Sequence, residues 1–259
     1  MKKVIHGVGL VITGLLISGV QAGAETVTLS GASQMEDTYL RGDDTQISTV
    51  NNYGASTLLI VGDLTSPVTI NALMRFTDFS GVSGQTVTNA TLRLYNTNHA
   101  NQTGDVSIEI HELVAANGDW VEGTVNSSVQ TGSSDWRFKV QNTGDWAGGR
   151  NGAGVSGVDY TTALVGSATS ADTTAEWVEF ALDADVIQNW IDNPLQNYGI
   201  VLTAPGAADG EAAFFRSSET STTSTAPQLV LETIPEPAAL GLVGMACGML
   251  LFARRFLAI

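Results

Sequence analysis

The chain has one cysteine, three histidines and few basic residues, and each scarcity excludes a class of protein. The single cysteine, Cys247, can neither form a disulfide bond within the chain nor build a thiolate metal site. Of the histidines, His6 lies in the N-terminal apolar segment, which leaves only His99 and His111. The sequence therefore excludes disulfide-stapled domains and multi-histidine zinc centres.

Basic residues are scarcest in the middle of the chain. Positions 25–234 hold seven lysines and arginines against 25 acidic residues, a net charge of −18. Nucleic-acid binding depends on lysine and arginine neutralising phosphates, and a strongly acidic body is also repelled by anionic membrane surfaces. This charge balance excludes nucleic acid as a partner.

The N-terminal segment, residues 1–24, has the pattern of a secretory signal peptide. Two lysines precede an apolar run at positions 8–20, and Ala22 and Ala24 form a small-x-small cleavage site. Cleavage there leaves Glu25 as the new N-terminus. The alternative is an uncleaved anchor helix.

The C-terminal segment, residues 235–259, joins a short polar motif to an apolar helix. The uncharged run at 238–253 spans about 24 Å as a helix, against a hydrocarbon layer of about 30 Å. The positive-inside rule keeps the basic end at 254–255 in the cytoplasm. The residues that mark the two ends of the helix are Pro235, Glu236, Pro237, Arg254 and Arg255.

This order of Pro-Glu-Pro, short helix and arginine pair resembles the PEP-CTERM sorting signal of Gram-negative bacteria. The resemblance implies a precursor held in the inner membrane and processed by an exosortase near Pro-Glu-Pro. It also implies a final place at the cell surface or in the extracellular matrix, often in species that produce exopolysaccharide. The alternative is a plain tail anchor.

Residues 25–234 predict a single all-β domain. Glycine is abundant, and apolar and polar residues alternate with a period of two, which is typical of half-buried antiparallel strands. Eleven short strands separated by segments rich in turn-forming residues indicate a sandwich or a barrel. We predict them at 26–30, 37–41, 57–62, 68–76, 87–95, 106–114, 136–140, 177–182, 199–204, 212–217 and 228–233.

Two segments depart from the strand pattern. Asp183 is placed to cap a short helix that runs to position 193 before Pro194, with Ile187 and Trp190 on its apolar face. The glycine- and serine-rich stretch 141–172 shows no sustained period and predicts a long surface excursion, of the kind that is often functional or disordered.

Nine short blocks in the body are similar, in the same order, to the DNRLRE-type domain. The family is allied to family-96 carbohydrate-binding modules and implies a jelly-roll-like antiparallel β-sandwich on secreted, polysaccharide-active or surface proteins. The hexapeptide that names the family is absent. The blocks are DTYL (37–40), NYG (52–54), ALMRF (72–76), ATLRLY (90–95), WVEG (120–123), DVIQNW (185–190), NYGIVL (197–202), FRSSE (215–219) and PQLV (227–230).

Two tryptophans are the candidate sugar-stacking residues, because a pyranose packs on an aromatic face while carboxylates and amides bind its hydroxyl groups. Trp146 lies in the glycine-rich excursion and Trp177 lies on the polar face of its strand, so both are expected to be exposed. Asp145 and Glu179 are their neighbouring hydroxyl partners. The alternative for any tryptophan is burial, which we expect for Trp190.

Calcium is a possible structural ion. Asp37, Asp43 and Asp44 lie close together in a segment rich in predicted loops. Calcium takes six to eight oxygen ligands, and carboxylates of this kind supply them. The alternative is ordinary surface charge on an acidic secreted protein.

These features predict an exported domain that binds extracellular polysaccharide without catalysis and has no catalytic residues. Its charge favours neutral glycans, or anionic ones bridged by calcium, over free polyuronates. One alternative is a glycoside hydrolase or lyase, for which Asp119 and Glu122 are the best local carboxylates. A second is a structural matrix protein without glycan specificity.

Overall fold

The computed structural model describes residues 23–42, 50–64, 68–99, 101–172 and 175–235, and most of their regular structure is β. One α-helix, α1, runs over Ala184–Asp192. In chain order the strands are β1 Glu25–Ser30, β2 Met35–Arg41, β3 Asn51–Asn52, β4 Leu58–Asp63, β5 Thr69–Phe76, β6 Gln85–Tyr95, β7 Val106–Glu112, β8 Ser128–Val129, β9 Phe138–Val140, β10 Gly144–Asp145, β11 Gly166–Ser170, β12 Trp177–Leu182, β13 Ile200–Thr203, β14 Ala212–Arg216 and β15 Gln228–Pro235.

The strands form two main antiparallel sheets. The smaller sheet has the order β1-β15-β6-β12, and the larger has the order β11-β7-β13-β5-β4-β14 with β2 also paired to β5. Two short ribbons, β3–β8 and β9–β10, lie outside them. The eleven predicted strands correspond to β1, β2, β4, β5, β6, β7, β9, β12, β13, β14 and β15, so the predicted all-β sandwich is confirmed at this level.

The main hydrophobic core lies between the two sheets. Alternation along β12 directs Val178, Phe180 and Leu182 inward, where they meet the inward residues of β6 and β15 and those of the larger sheet. The opposite side chains of β12 point to solvent. The outer face of the smaller sheet is therefore open.

The central strands of the larger sheet, β5 and β13, are buried on both of their faces. Along β5, Ala72 and Met74 belong to the core between the sheets, whereas Leu73 joins a second core on the outer face. The chain between β7 and β11 covers that face and contributes Trp120 and Tyr160 to the second core.

This cover corrects two predictions from the sequence. The stretch 141–172 is not a free excursion, because it packs on the sheet and supplies β10 and β11. Trp146 is 2% exposed rather than open to solvent, and its indole nitrogen donates to the Asp135 carbonyl at 3.0 Å. A tryptophan in this position belongs to the core because the sheet beneath it presents an apolar surface that must leave water.

Asp159 supplies the polar interactions that hold the cover in place. It is fully buried, and its two carboxylate oxygens accept hydrogen bonds from the backbone amides of Gly148 at 2.7 Å and Val155 at 2.9 Å. The Asn117 side chain donates to the same carboxylate at 3.1 Å. These bonds satisfy amides that irregular, buried backbone would otherwise leave unpaired.

The predicted helix is confirmed as α1. Asp183 caps it by accepting a hydrogen bond from the Asp185 amide at 2.9 Å, and Pro194 follows its end. Ile187 and Trp190 pack into the core between the sheets, and Trp190 is 1% exposed, as predicted.

The first and last strands lie side by side, because β1 pairs with β15 and Glu25 lies opposite Thr233. Residues 1–22 and 236–259 lie outside the described residues, so cleavage after Ala24, the apolar helix at 238–253 and the arginine pair stay predictions. Within the described part of the chain, no helix has both the length and the apolar character that a membrane crossing requires.

We predict that Trp146→Ala destabilises the domain by about 3–5 kcal/mol, the usual range for removing a large aromatic side chain from a core. Thermal melts measure this as a clear fall in Tm, at roughly 2–4 °C per kcal/mol for a domain of this size. Leu195→Ala is the control, because Leu195 is 94% exposed and its removal is expected to leave Tm unchanged. An unchanged Tm with lost glycan binding would return Trp146 to the role inferred from sequence.

Candidate functional site

Trp177 lies on the open outer face of the smaller sheet, at its edge. It is the first residue of β12, and the alternation that buries Val178 and Phe180 directs Trp177 and Glu179 outward together. Trp177 is partly buried and Glu179 is exposed.

Two residues of the neighbouring strand β6 hold Trp177 in position. Tyr95 lies opposite it in the β6–β12 register and meets its ring edge-on, with centroids 5.4 Å apart. The Arg93 guanidinium lies 4.6 Å from the centre of the same ring. Arg93 also donates to Glu179 at 2.9 Å and to Gln228 of β15 at 3.0 Å. We call these five residues, Trp177, Tyr95, Arg93, Glu179 and Gln228, the Trp177 platform.

The structure brings together two of the four residues predicted to bind carbohydrate. Trp177 and Glu179 share the platform, whereas Trp146 is buried in the second core. Asp145 is exposed on β10, in the cover of the other sheet, and it contacts Arg150 at 3.4 Å. Arg93 and Tyr95 were not among the predicted site residues, although alternation puts both on the polar face of β6. Which strand lies beside that face depends on register, which periodicity does not reveal.

A cleft of about 310 Å³ opens over the outer side of the larger sheet. Its walls come from the end of β4, the start of β5, the end of β13 and the cover segment. The side chains that line it include those of Asp63, Thr69, Asn71, Trp136, Asn151 and Tyr160. We call it the Trp136 cleft.

The indole ring of Trp136 is held against backbone. A Cβ atom on Gly42 or Gly152 would lie within 2.3 Å of ring atoms, so only glycine permits this approach at either position. The Gly152 amide also donates to the Trp136 carbonyl at 2.7 Å. These contacts fix the orientation of the Trp136 ring.

Three carboxylates from distant parts of the chain meet beside β2. Oxygen atoms of Asp37, Glu122 and Glu219 lie within 4.8 Å of one another. Asp37 is 1% exposed and accepts a hydrogen bond from the Ser218 amide at 2.8 Å. Its own amide donates to Glu122 at 2.8 Å, so Glu122 satisfies a backbone donor of β2.

This geometry revises the calcium prediction in part. Asp43 and Asp44 lie outside the described residues, and Asp37 instead shares its surroundings with Glu122 and Glu219. Sequence reasoning could not group them, because like-charged residues so far apart in the chain carry no common pattern. Three such carboxylates could supply part of the oxygen shell of calcium, and calcium binding stays a prediction.

Burial raises the pKa of all three groups. It raises the pKa of Glu122 to about 8, against the hydrogen bond from the Asp37 amide. It raises the pKa of Asp37 well above its ordinary value, and the charges of Glu219 and Glu122 raise it further. It also raises the pKa of Glu219. With a pKa of about 8, Glu122 holds a proton near neutral pH.

We predict that stability falls as pH rises through the range set by Glu122. The folded pKa of about 8 exceeds the ordinary value of 4.5, so the folded state binds the proton more tightly. The contribution is fully present below about pH 4.5 and is lost as pH rises towards 8. Melts of Glu122→Gln should show a higher Tm than wild type at pH 8.5 and a smaller difference at pH 5.

The control for that series is Glu179→Gln, which removes an exposed carboxylate of the same type. The difference in Tm between Glu179→Gln and wild type should not change with pH in the way expected for Glu122→Gln. Equal pH profiles for wild type and Glu122→Gln would contradict the prediction. Repeating the wild-type melts at pH 8.5 with calcium and with a chelator tests whether a divalent cation can replace the protons.

Comparison with known families gives a match to part of the chain. Residues 28–148 match the family model of carbohydrate-binding module family 96. The matched stretch starts in β1 and includes β6, with Arg93 and Tyr95, but it stops before β12. A search of curated proteins gave no match. The family match supports a carbohydrate-binding module.

Proposed function

We propose that the protein is an exported, non-catalytic, polysaccharide-binding domain that acts at the cell surface or in the extracellular matrix. The observation that carries this proposal is the family-96 match over residues 28–148. We assign the fold to a jelly roll, in which two four-stranded layers pack face to face. The smaller sheet β1-β15-β6-β12 and the run β11-β7-β13-β5 of the larger sheet support this assignment, since the chain changes layer from β5 to β6, from β6 to β7, from β11 to β12 and from β12 to β13.

The Trp177 platform is the surface that we assign to the polysaccharide. Its position on an open sheet face admits a long chain from either end. The exposed part of the indole provides a stacking surface, and Tyr95 and Arg93 hold the ring in place. Glu179, Arg93 and Gln228 place an acceptor, a donor and an amide beside it for sugar hydroxyl groups.

The ligand class follows from charge. The body of the chain carries a net charge of −18 between positions 25 and 234. A field of that sign repels polyuronates over the screening length of about 10 Å at 0.1 M salt. We therefore assign neutral glycans as the preferred ligands, with calcium-bridged anionic glycans second.

The placement of carboxylates favours binding over hydrolysis. A glycoside hydrolase needs two carboxylates across the scissile bond, about 5–10 Å apart. Among the described residues, Asp63 is the one carboxylate that lines the Trp136 cleft, and Asp119 is the one that lines a second cleft of about 510 Å³ beside Tyr198. Glu122 belongs to the carboxylate cluster rather than to either cleft.

Export and sorting complete the proposal, and the two terminal segments of the sequence support it. The Pro-Glu-Pro motif begins at the last residue of β15, so an exosortase would act directly beside the folded domain. The precursor would then be held in the inner membrane by the segment 238–253 until processing.

We predict that Trp177→Ala weakens binding to polysaccharide about twofold to tenfold, because an aromatic stacking contact contributes about 0.5–1.5 kcal/mol. Isothermal titration and adsorption to immobilised β-glucan, galactomannan and xylan measure the change, with alginate as the anionic comparison. Tm should stay close to wild type, since the side chain lies on an open face.

Trp177→Phe is the matched variant and should keep part of the affinity, while Leu195→Ala should keep all of it. Unchanged affinity in Trp177→Ala would remove the platform from the binding site. Release of reducing ends from any of the glycans would support the enzyme alternative, and no binding at all would support a purely structural matrix protein.

We predict that deleting residues 236–259 sends the domain to the soluble secreted fraction. The truncation keeps Pro235, which still pairs with Gln85 at the end of β15, so the fold should be unaffected. Fractionation and N-terminal sequencing of the exported protein measure the result, and Glu25 should be the first residue. An unchanged distribution after the deletion would show that this segment does not direct sorting.

A further inference from the structure

The Trp136 cleft has the composition of a small saccharide site. Its volume of about 310 Å³ is at the lower end of the range of about 300–1,000 Å³ found for ligand pockets. Trp136 and Tyr160 provide aromatic walls, and Asn71, Asn151 and Thr69 provide amide and hydroxyl groups. This mixture of rings and neutral polar groups is what a sugar requires from a protein.

A carboxylate also lines the cleft. Asp63 Oδ1 is closed to solvent and has no hydrogen-bond partner among the described residues. Buried polar atoms in proteins are nearly always paired, so we expect a partner for Oδ1 beyond the described residues. Asp63 is only partly buried, so its other carboxylate oxygen is the one that a sugar hydroxyl would reach, and its negative charge disfavours a uronate.

The walls of the cleft are already in place. Gly42 and Gly152 hold the Trp136 ring, and the Asn71 amide nitrogen donates to the Gly152 carbonyl at 2.9 Å. Tyr160 is 8% exposed and packs in the second core. Preformed walls reduce the entropy lost on binding, which favours a short ligand with few contacts.

The cleft and the Trp177 platform lie on opposite sides of the sandwich. The platform belongs to the outer face of the smaller sheet, whereas Asn71 and Tyr160 belong to the outer side of the larger sheet. The core between the sheets separates the two surfaces. One molecule can therefore contact two glycan chains at once.

We propose that the Trp136 cleft binds a short neutral saccharide, about one or two sugar rings such as a chain end or branch, and that with the platform it cross-links polysaccharide chains. The cross-linking part rests on the proposed function. The cleft accepts a terminal unit because its volume of about 310 Å³ has room for only a short saccharide, and the platform accepts an internal stretch because it lies on an open sheet face. Two separate contacts on one domain give the bridging and the avidity of a bivalent binder.

Thr69→Trp tests the cleft with little risk to the fold. Thr69 is exposed on β5 at the rim of the cleft, where a large aromatic side chain would fill the space without removing a core contact. Asp63→Asn is the second variant, since it keeps the size of the side chain and removes the charge of the unpaired acceptor. Thr169→Trp is the matched control, because Thr169 is an exposed strand threonine of the same sheet outside the cleft.

Two assays with the full-length protein separate the surfaces. The first is titration with the trisaccharides of β-glucan, mannan and xylan, and the second is capture of soluble labelled galactomannan onto galactomannan-coated beads. We expect Thr69→Trp to weaken trisaccharide binding at least tenfold. This variant should still adsorb to the coated beads through the Trp177 platform, but it should no longer capture the soluble labelled galactomannan. Asp63→Asn should also weaken trisaccharide binding. Trp177→Ala should reduce adsorption to the beads more than it reduces trisaccharide binding, and Thr169→Trp should match wild type in both assays.

Trisaccharide binding that survives both Thr69→Trp and Asp63→Asn would overturn the second site. Bead capture that survives Thr69→Trp would overturn the cross-linking role. Failure of the unaltered protein to adsorb to any glycan would instead contradict the proposed function, and with it the bridging. Adsorption without trisaccharide binding would leave the platform in place and reject the cleft.

Discussion

The apolar outer face of the larger sheet is the constraint on which the rest of the structure depends. Strands β5 and β13 are buried along almost their whole length, so this sheet cannot leave one face in water. The chain between β7 and β11 covers that face and gains a second core in doing so. The same cover forms one wall of the Trp136 cleft, and its Glu122 caps the edge of β2. The Trp136 cleft and the carboxylate cluster therefore both result from the need to bury this face of the larger sheet.

Local periodicity accounts for the part of this structure that could be predicted from sequence. Alternation in β12 is enough to direct Trp177 outward, and the cap at Asp183 with the apolar stripe of Ile187 and Trp190 is enough to place α1. Trp146 lies in a segment without hydrophobic periodicity, and its burial depends on a sheet whose strands lie elsewhere in the chain. A signal was nevertheless present, since 72–74 and 200–202 are apolar at consecutive positions, a pattern of strands buried on both faces.

The carboxylate cluster illustrates a different limit on prediction. Asp37, Glu122 and Glu219 come together because the edge of β2 and the turn after β14 meet the cover segment there, not because the groups attract one another. Burial then makes the pKa values of these groups depend on their neighbours rather than on their type. Composition reveals how many acids a chain carries, but only tertiary structure reveals which of them share one environment.

The position of β15 has a mechanical consequence. This strand leads to the C-terminal segment, and it lies between β1 on one side and β6 on the other. Hydrogen bonds between antiparallel strands run perpendicular to the strand axis, so tension applied to the chain beyond Pro235 loads both ladders in shear. Bonds loaded in shear must break together, whereas a peeled edge strand loses them one at a time. A domain pulled from this end would therefore resist extension more strongly than one whose last strand lay at the edge of its sheet.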